Sequence, residues 1–208
     1  MTARVLALAL LTAAVLPAQG PAVLDPLDAN GRITYFIAPG GPDSAYRAGD
    51  EELARWALAA WSEALGGTLR FEPSPEAEAL VRMYFVPATA GQYGEARPIV
   101  VNGRRGAEVY IRPDTDALGN QIGSRARLDA LLRDTIVYLT CVHELGHALG
   151  LYHTHEFSDV MYFFGYGGDI PAFFYRYRVQ LQTRTDIAKV SGLSSGDIER
   201  ARALYRVN

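Results

Sequence analysis

The chain of 208 residues contains one cysteine, Cys141. A single thiol excludes an intrachain disulfide and leaves no lipid-acceptor cysteine behind a leader, so no covalent cross-link holds the fold. Lysine is almost as scarce: Lys189 is the only one, every other cationic side chain being arginine. That is a composition bias and carries no functional weight. Lys and Arg number 20 against 23 Asp and Glu, for a formal net charge of −3. The absence of a basic stripe argues against nucleic acid as a partner, and no run of like charge marks a disordered tail. Beyond the first twenty residues no stretch is apolar enough to span a bilayer. Internal repeats, low-complexity segments and dividing linkers are missing as well.

About half of the residues, 49%, are hydrophobic, enough for one full core and not for two large ones. Residues 1–20 have the form of an export signal. Arg4 supplies the positive end, Val5 to Leu16 is an unbroken apolar or small run, and Ala18 and Gly20 are small residues near Pro21. The run is short for a membrane anchor. The expectation is a signal peptide over 1–20, then one domain over 21–208, soluble and monomeric, secreted or periplasmic. Within that domain an upper part covers about 30–150 and a lower part about 151–208.

Periodicity marks the elements. Ile33 to Ala38 reads as a strand halted by Pro39-Gly40-Gly41-Pro42. Asp50 is expected to cap a helix whose Leu53, Trp56, Ala57, Ala60, Trp61 and Leu65 share a face, ended by Gly66-Gly67. At that spacing the two tryptophans are core residues rather than a ligand platform. Leu69–Glu72 and Ala79–Val86 are two further strands, followed by a glycine-containing loop from Thr89 to Ala96. Pro98–Asn102 and Ala107–Ile111 then flank Gly103-Arg104-Arg105-Gly106 as a hairpin. A long helix is expected to start at Ser124 and to run through the histidines, with Leu128, Leu131, Leu132, Leu139, Val142 and Leu149 along one flank. Ser194 with Asp197 forms a capping box for a last helix faced by Ile198, Ala201, Leu204 and Tyr205.

All four histidines lie between positions 143 and 155. His143 and His147, four apart on a helix, share one face one turn from each other and can reach a single metal ion. Gly150 can adopt the left-handed conformation that ends a helix, which lets the reversing chain bring in His153 as a third ligand. Three neutral nitrogens with an open water position are the arrangement of a catalytic zinc site, not a structural one. Glu144 is placed to act on the water and not on the metal. The implied activity is hydrolysis of peptide bonds through a zinc-bound water activated by Glu144, with a protein or peptide as substrate. The competing reading is a non-catalytic, metal-stabilised binding protein that docks through the aromatic 163–177 segment.

Other residues have two readings. Cys141 precedes His143 by two positions and is a buried small hydrophobe rather than a ligand. Asp114, Asp116 and Asn120 have calcium-like spacing but lack the glycine and terminal glutamate of an EF-hand, so calcium is weakly supported against a solvated loop. His155 is a surface histidine, or else a supporting partner or alternate ligand. Phe163, Phe164, Tyr166, Phe173, Phe174, Tyr175 and Tyr177 form either a secondary core under a long loop or an aromatic wall beside the substrate pocket.

The pattern His143-Glu144-x-x-His147-x-x-Gly150-Leu151-x-His153, with Met161 eight residues on, resembles the metzincin peptidases. Thr154, Gly150-Leu151 and Met161-Tyr162 make it most similar to the matrixin branch. That resemblance implies a zincin-like α/β (α+β) fold: a twisted, mostly parallel five-stranded sheet, an active-site helix, and a small C-terminal subdomain with a terminal helix. It implies that His143, His147 and His153 bind one Zn2+, that Glu144 is the base, and that Met161 forms a floor beneath the metal. It also implies a substrate strand added beside the edge strand near Ile99–Asn102. The chain departs from the pattern in three ways. No thiol is present upstream to latch the zinc, no upstream histidines serve a second zinc, and Phe163 follows Tyr162 where the family has proline.

Overall fold

The computed structural model describes residues 25–27, 30–89 and 93–207; the signal peptide expected over 1–20 lies outside them. Five strands form one sheet: β1 (Arg32–Ile37), β2 (Arg70–Pro73), β3 (Val81–Phe85), β4 (Gly94–Val101) and β5 (Arg104–Ile111), in the order β2-β1-β3-β5-β4. Every pairing is parallel except that of β4 with β5. The expected mostly parallel five-stranded sheet is therefore the observed one.

Alternation decides which face of the sheet is covered. Val81, Met83 and Phe85 of β3 and Ala107, Val109 and Ile111 of β5 are buried. Between them, Arg82, Tyr84, Glu108 and Tyr110 face the other way. There Tyr84 stacks on Tyr110 at 5.5 Å and Arg97 lies 4.8 Å over the Tyr110 ring. The buried face packs against α1 (Asp50–Ala64) and α3 (Ala130–Leu149). Trp61 is fully buried between them and its Nε1–H donates to the Val142 carbonyl at 2.9 Å, as expected of a core residue. Trp56 is half-buried under the Arg184 guanidinium.

Several boundaries differ from the sequence expectation. Asp50 is the first residue of α1 rather than its cap. Its carboxylate accepts the Arg47 N–H and forms a buried ion pair with Arg133 of α3, tying the two helices together. The long helix is broken in two. α2 (Asn120–Leu128) stops at Asp129, whose side chain accepts the Leu132 N–H at 3.0 Å and starts α3 afresh. The break turns Leu128 outward, 91% exposed, instead of into the core. The hairpin is tighter than expected: only Asn102 and Gly103 form the turn, both at positive φ (51° and 77°). Asn-Gly is the pair such a two-residue turn favours, so Arg104, Arg105 and Gly106 belong to β5.

Two further helices complete the chain. α4 (Ile170–Arg178) was not anticipated; it is started by Asp169, which accepts the Ala172 N–H at 2.9 Å. α5 (Ser195–Tyr205) carries the expected Ser194/Asp197 capping box. No helix of the described residues is long and apolar enough to cross a membrane.

Candidate metal centre

The last turns of α3 carry His143, Glu144 and His147, and Gly150 at φ 104° ends the helix. A side chain there would be strained. The N–H groups of Gly150 and Leu151 turn back to the His147 and Gly146 carbonyls at 2.9 Å, and the chain reverses. That reversal carries His153 to the two helical histidines. Its Nε2 stands 3.2 Å from Nε2 of His143 and 3.1 Å from Nε2 of His147, and all three nitrogens lie within 4.8 Å of one another.

The opposite ring nitrogens of the helical pair are engaged. Nδ1–H of His143 donates to the Val160 carbonyl at 2.7 Å, and Nδ1–H of His147 to the Leu151 carbonyl at 2.8 Å. Each Nε2 therefore presents a lone pair inward. Burial, then the neighbouring imidazoles, holds His143 down to about 3 and His153 down to about 4, and burial lowers His147 as well. All three rings are thus neutral at pH 7. Nitrogens around a tetrahedral zinc at about 2.05 Å stand roughly 3.3 Å apart. The observed 3.1 and 3.2 Å and the neutral donor set fit such an ion.

Glu144 is 6% exposed and lies against the first residue of β4. A Cβ on Gly94 would fall 2.3 Å from its Oε1, so glycine is what allows the strand to approach the carboxyl. Burial, reinforced by the charge of Glu95, pushes Glu144 up to about 8. Neither Tyr93 nor Gly94, which both face this cavity, stands out in the sequence, because nothing in a strand end announces which side chain it meets. Ile99–Asn102, where the resemblance put the substrate strand, begins on the same edge strand β4, toward its far end. Ile99 is five residues along β4, roughly 17 Å away at strand rise, and the end of β4 at Gly94 is the one beside Glu144.

Met161 is fully buried, its Sδ against Gly146 of α3. Its position is set from α5. The buried Asp197 carboxylate accepts N–H groups from Val160 at 2.8 Å, Met161 at 3.4 Å and Ser194 at 2.9 Å. Arg200 bridges Asp197 to Asp159, which also accepts the Thr154 hydroxyl at 2.8 Å. The capping box was legible; that its carboxylate also pins the chain at Met161 was not.

A cavity of about 300 Å³ opens beside His143, Glu144 and His153. Leu118, Leu139, Val160, Phe164, Phe173 and Phe174 make its walls largely apolar. The aromatic segment supplies both buried core and one wall of this cavity. Phe173, Phe174 and Tyr177 are buried core residues of α4, while Phe163, Phe164, Phe173 and Phe174 line the cavity. His155 does not join the ring nitrogens; it is exposed and stacks on Tyr166. Asp114 accepts the Asp116 N–H, Asp116 pairs with Arg127, and Asn120 opens α2. Asp114 thus serves a cap and Asp116 an ion pair. Cys141 is buried and its thiol is pushed up by burial.

The profile of the matrixin family of M10 peptidases matches residues 28–169. Stromelysin-1 of Mus musculus is 28% identical over 179 residues, covering 83% of this chain and 31% of that protein. The chain thus spans about a third of the length of that relative. Among solved structures, an archaemetzincin from Methanopyrus kandleri aligns over 85% of this chain and 96% of its own, at 15% identity and a TM-score of 0.45.

Proposed function

The chain belongs to the matrixin family, and from that membership and the geometry of its centre we propose that it is a secreted zinc endopeptidase. The observation that carries the reading is one convergence. Three neutral imidazoles meet beside a buried carboxyl at the mouth of an apolar cavity, next to a free strand edge.

In this reading His143, His147 and His153 hold one zinc ion. When bound, zinc supplies a Lewis acid that polarises a carbonyl and acidifies water. Glu144, pushed up to about 8 chiefly by burial, would ionise beside a bound cation and serve as the general base, taking a proton from the attacking water and returning it to the departing amide nitrogen. Its buried position keeps that proton from bulk solvent. Met161 shapes the floor, and Gly150 makes the reversal that delivers His153.

Substrate main chain is held by the edge of the sheet. The Tyr93 carbonyl accepts the Arg112 N–H at 3.0 Å, so by the alternation of an antiparallel ladder Gly94 and Ala96 turn their N–H and C=O groups outward. Pro98, the next outward residue, has no N–H to offer. The usable edge is therefore the short stretch beside Glu144, and a peptide laid along it places a side chain into the cavity. A large apolar residue is expected there, since the volume and walls suit one. Export by residues 1–20 and action as a monomer complete the proposal. The non-catalytic alternative is disfavoured because a purely structural site has no use for an open cavity beside a buried carboxyl.

Glu144→Gln tests it. The variant should bind zinc like wild type and lose activity on casein by at least about a hundredfold. Cleavage by the purified variant at the wild-type rate would remove Glu144 from its role.

A further inference from the structure

The three imidazoles are not held alike. The planes of His143 and His147 are set by hydrogen bonds from Nδ1 to main-chain carbonyls, the usual means of fixing a ligating histidine. Among the described residues, no carbonyl or carboxylate accepts from Nδ1 of His153. Its ring is instead covered by Phe163, with centroids 4.6 Å apart and planes inclined 27°. Tyr166 meets Phe163 edge-on at 5.2 Å, and His155 stacks on the Tyr166 ring at 3.8 Å. The four rings form one continuous run of ring contacts from the centre to the surface.

Two features keep that stack in place. The strands of chain beneath it are zipped together: Thr154 N–H donates to the Met161 carbonyl at 2.9 Å, and Phe163 N–H to the Thr154 carbonyl at 3.2 Å. Residue 165 leaves room for the ring, since a Cβ on Gly165 would fall 2.1 Å from Cε1 of Phe163. Phe163 is also the one member of the stack that touches both His153 and the cavity.

We propose that Phe163 is the positioning residue for His153, its stacked ring doing for the third histidine what a carbonyl does for the other two. Tyr166 and His155 back it from the surface side. The inference rests on the reading of the three histidines as zinc ligands. An imidazole with a free Nδ1 can rotate about its side-chain torsion; a face-to-face ring on one side restricts that rotation and keeps Nε2 aimed inward.

The test compares wild type with Phe163→Leu, Phe163→Tyr and Gly165→Ala, each loaded with one equivalent of zinc. Release to a chromogenic chelator is timed, and the visible absorption of the cobalt-substituted form reports the ligand set. Leucine keeps bulk without an aromatic face, tyrosine keeps the face, and Gly165→Ala displaces the ring while leaving Phe163 intact. Phe163→Leu and Gly165→Ala are expected to release zinc about tenfold faster, and Phe163→Tyr within about twofold of wild type. Melting of the zinc-free proteins confirms that each variant is folded. Wild-type release rates in both Phe163→Leu and Gly165→Ala would overturn the role of Phe163, as would equal rates for leucine and tyrosine. Wild type that takes up no zinc would overturn the metal centre itself and this inference with it.

Discussion

His143, Glu144 and His147 sit on α3, where helix rise and twist place them, whereas His153, Met161 and Phe163 sit on the irregular chain between Gly150 and α4. The first group is backed by a buried helix that is itself anchored: Asp129 caps it, the Asp50–Arg133 pair joins it to α1, and Trp61 bonds its backbone. The second has no regular structure of its own. It is held by side chains that arrive from α5 and from the aromatic stack. One half of the centre is thus specified by local geometry and the other by long-range contacts. Three measurements separate them.

The largest effect is on the zinc-free protein as a function of pH. His143 at about 3 and His153 at about 4 lie below the ordinary histidine value of 6.5, so below about pH 6.5 the unfolded chain binds more protons than the folded one. Stability is then full above pH 6.5 and lost as pH falls toward 4. Glu144 at about 8, against an ordinary 4.5, acts in the other direction. The folded state binds the extra proton between those values, so its contribution is full below about pH 4.5 and lost as pH rises through 8. Below pH 6.5 three histidines outweigh one carboxyl; above it Glu144 acts alone. Melting after chelation should therefore peak near pH 6.5, with an alkaline limb of about 2 kcal/mol and a larger acid limb. The acid limb belongs to both halves and the alkaline limb to α3 only. Glu144→Gln should flatten the alkaline limb; a limb that survives the substitution would deny that burial of Glu144 is its source.

How much of this was legible follows the same division. Four-residue spacing on a helix brings His143 and His147 together whatever the rest of the fold does, and Gly150 announces the reversal that follows. The Ser194/Asp197 box was readable for the same reason, being a short pattern with one local geometry, whereas Met161 was expected only through the resemblance to the matrixins. The errors fall where local pattern and tertiary context disagree. Leu128 continues the leucine spacing of α3, so the break at Asp129 was hidden until the carboxylate was seen capping Leu132. Gly94, Glu95 and Ala96 look like loop because an edge strand has one side free and need not alternate cleanly. α4 was masked by its aromatic density, although Asp169 followed by Pro171 is an N-terminal helix signal. The bridge from Asp197 to Val160 and Met161 spans more than thirty positions, and no window of sequence contains it.

That bridge gives the second measurement. Asp197→Asn keeps the volume but removes the charge that serves three main-chain N–H groups and Arg200. Hydrogen bonds to charged groups contribute about 1.5–3 kcal/mol, and a loss in stability of about 2–3 kcal/mol is expected in urea. The effect should fall on the loop half. Amide exchange should rise at Val160, Met161 and Phe163 while the α3 amides around His143 stay protected. Uniform loss of protection through α3 would mean that the two halves unfold as one and that the division drawn here is not energetic.

Gly150 is the joint between the halves, and it offers the smallest and most local test. Its φ of 104° is strained for any residue with a Cβ, and the cost of forcing a left-handed conformation on alanine is about 1–2 kcal/mol. Asparagine tolerates that region better. Gly150→Ala should therefore lower stability by about 1 kcal/mol or slightly more, with Gly150→Asn recovering part of it. The informative quantity is where the strain goes. If α3 is the stiffer half, relief comes by moving the chain after residue 150, so His153 shifts while His143 and His147 keep their places on the helix. In NMR spectra of the zinc-free protein the His153 ring signals should then move in Gly150→Ala while those of His143 stay near their wild-type positions. The reverse pattern, with His143 displaced and His153 unmoved, would show that the aromatic stack and Asp197 hold their half more firmly than the helix holds its own.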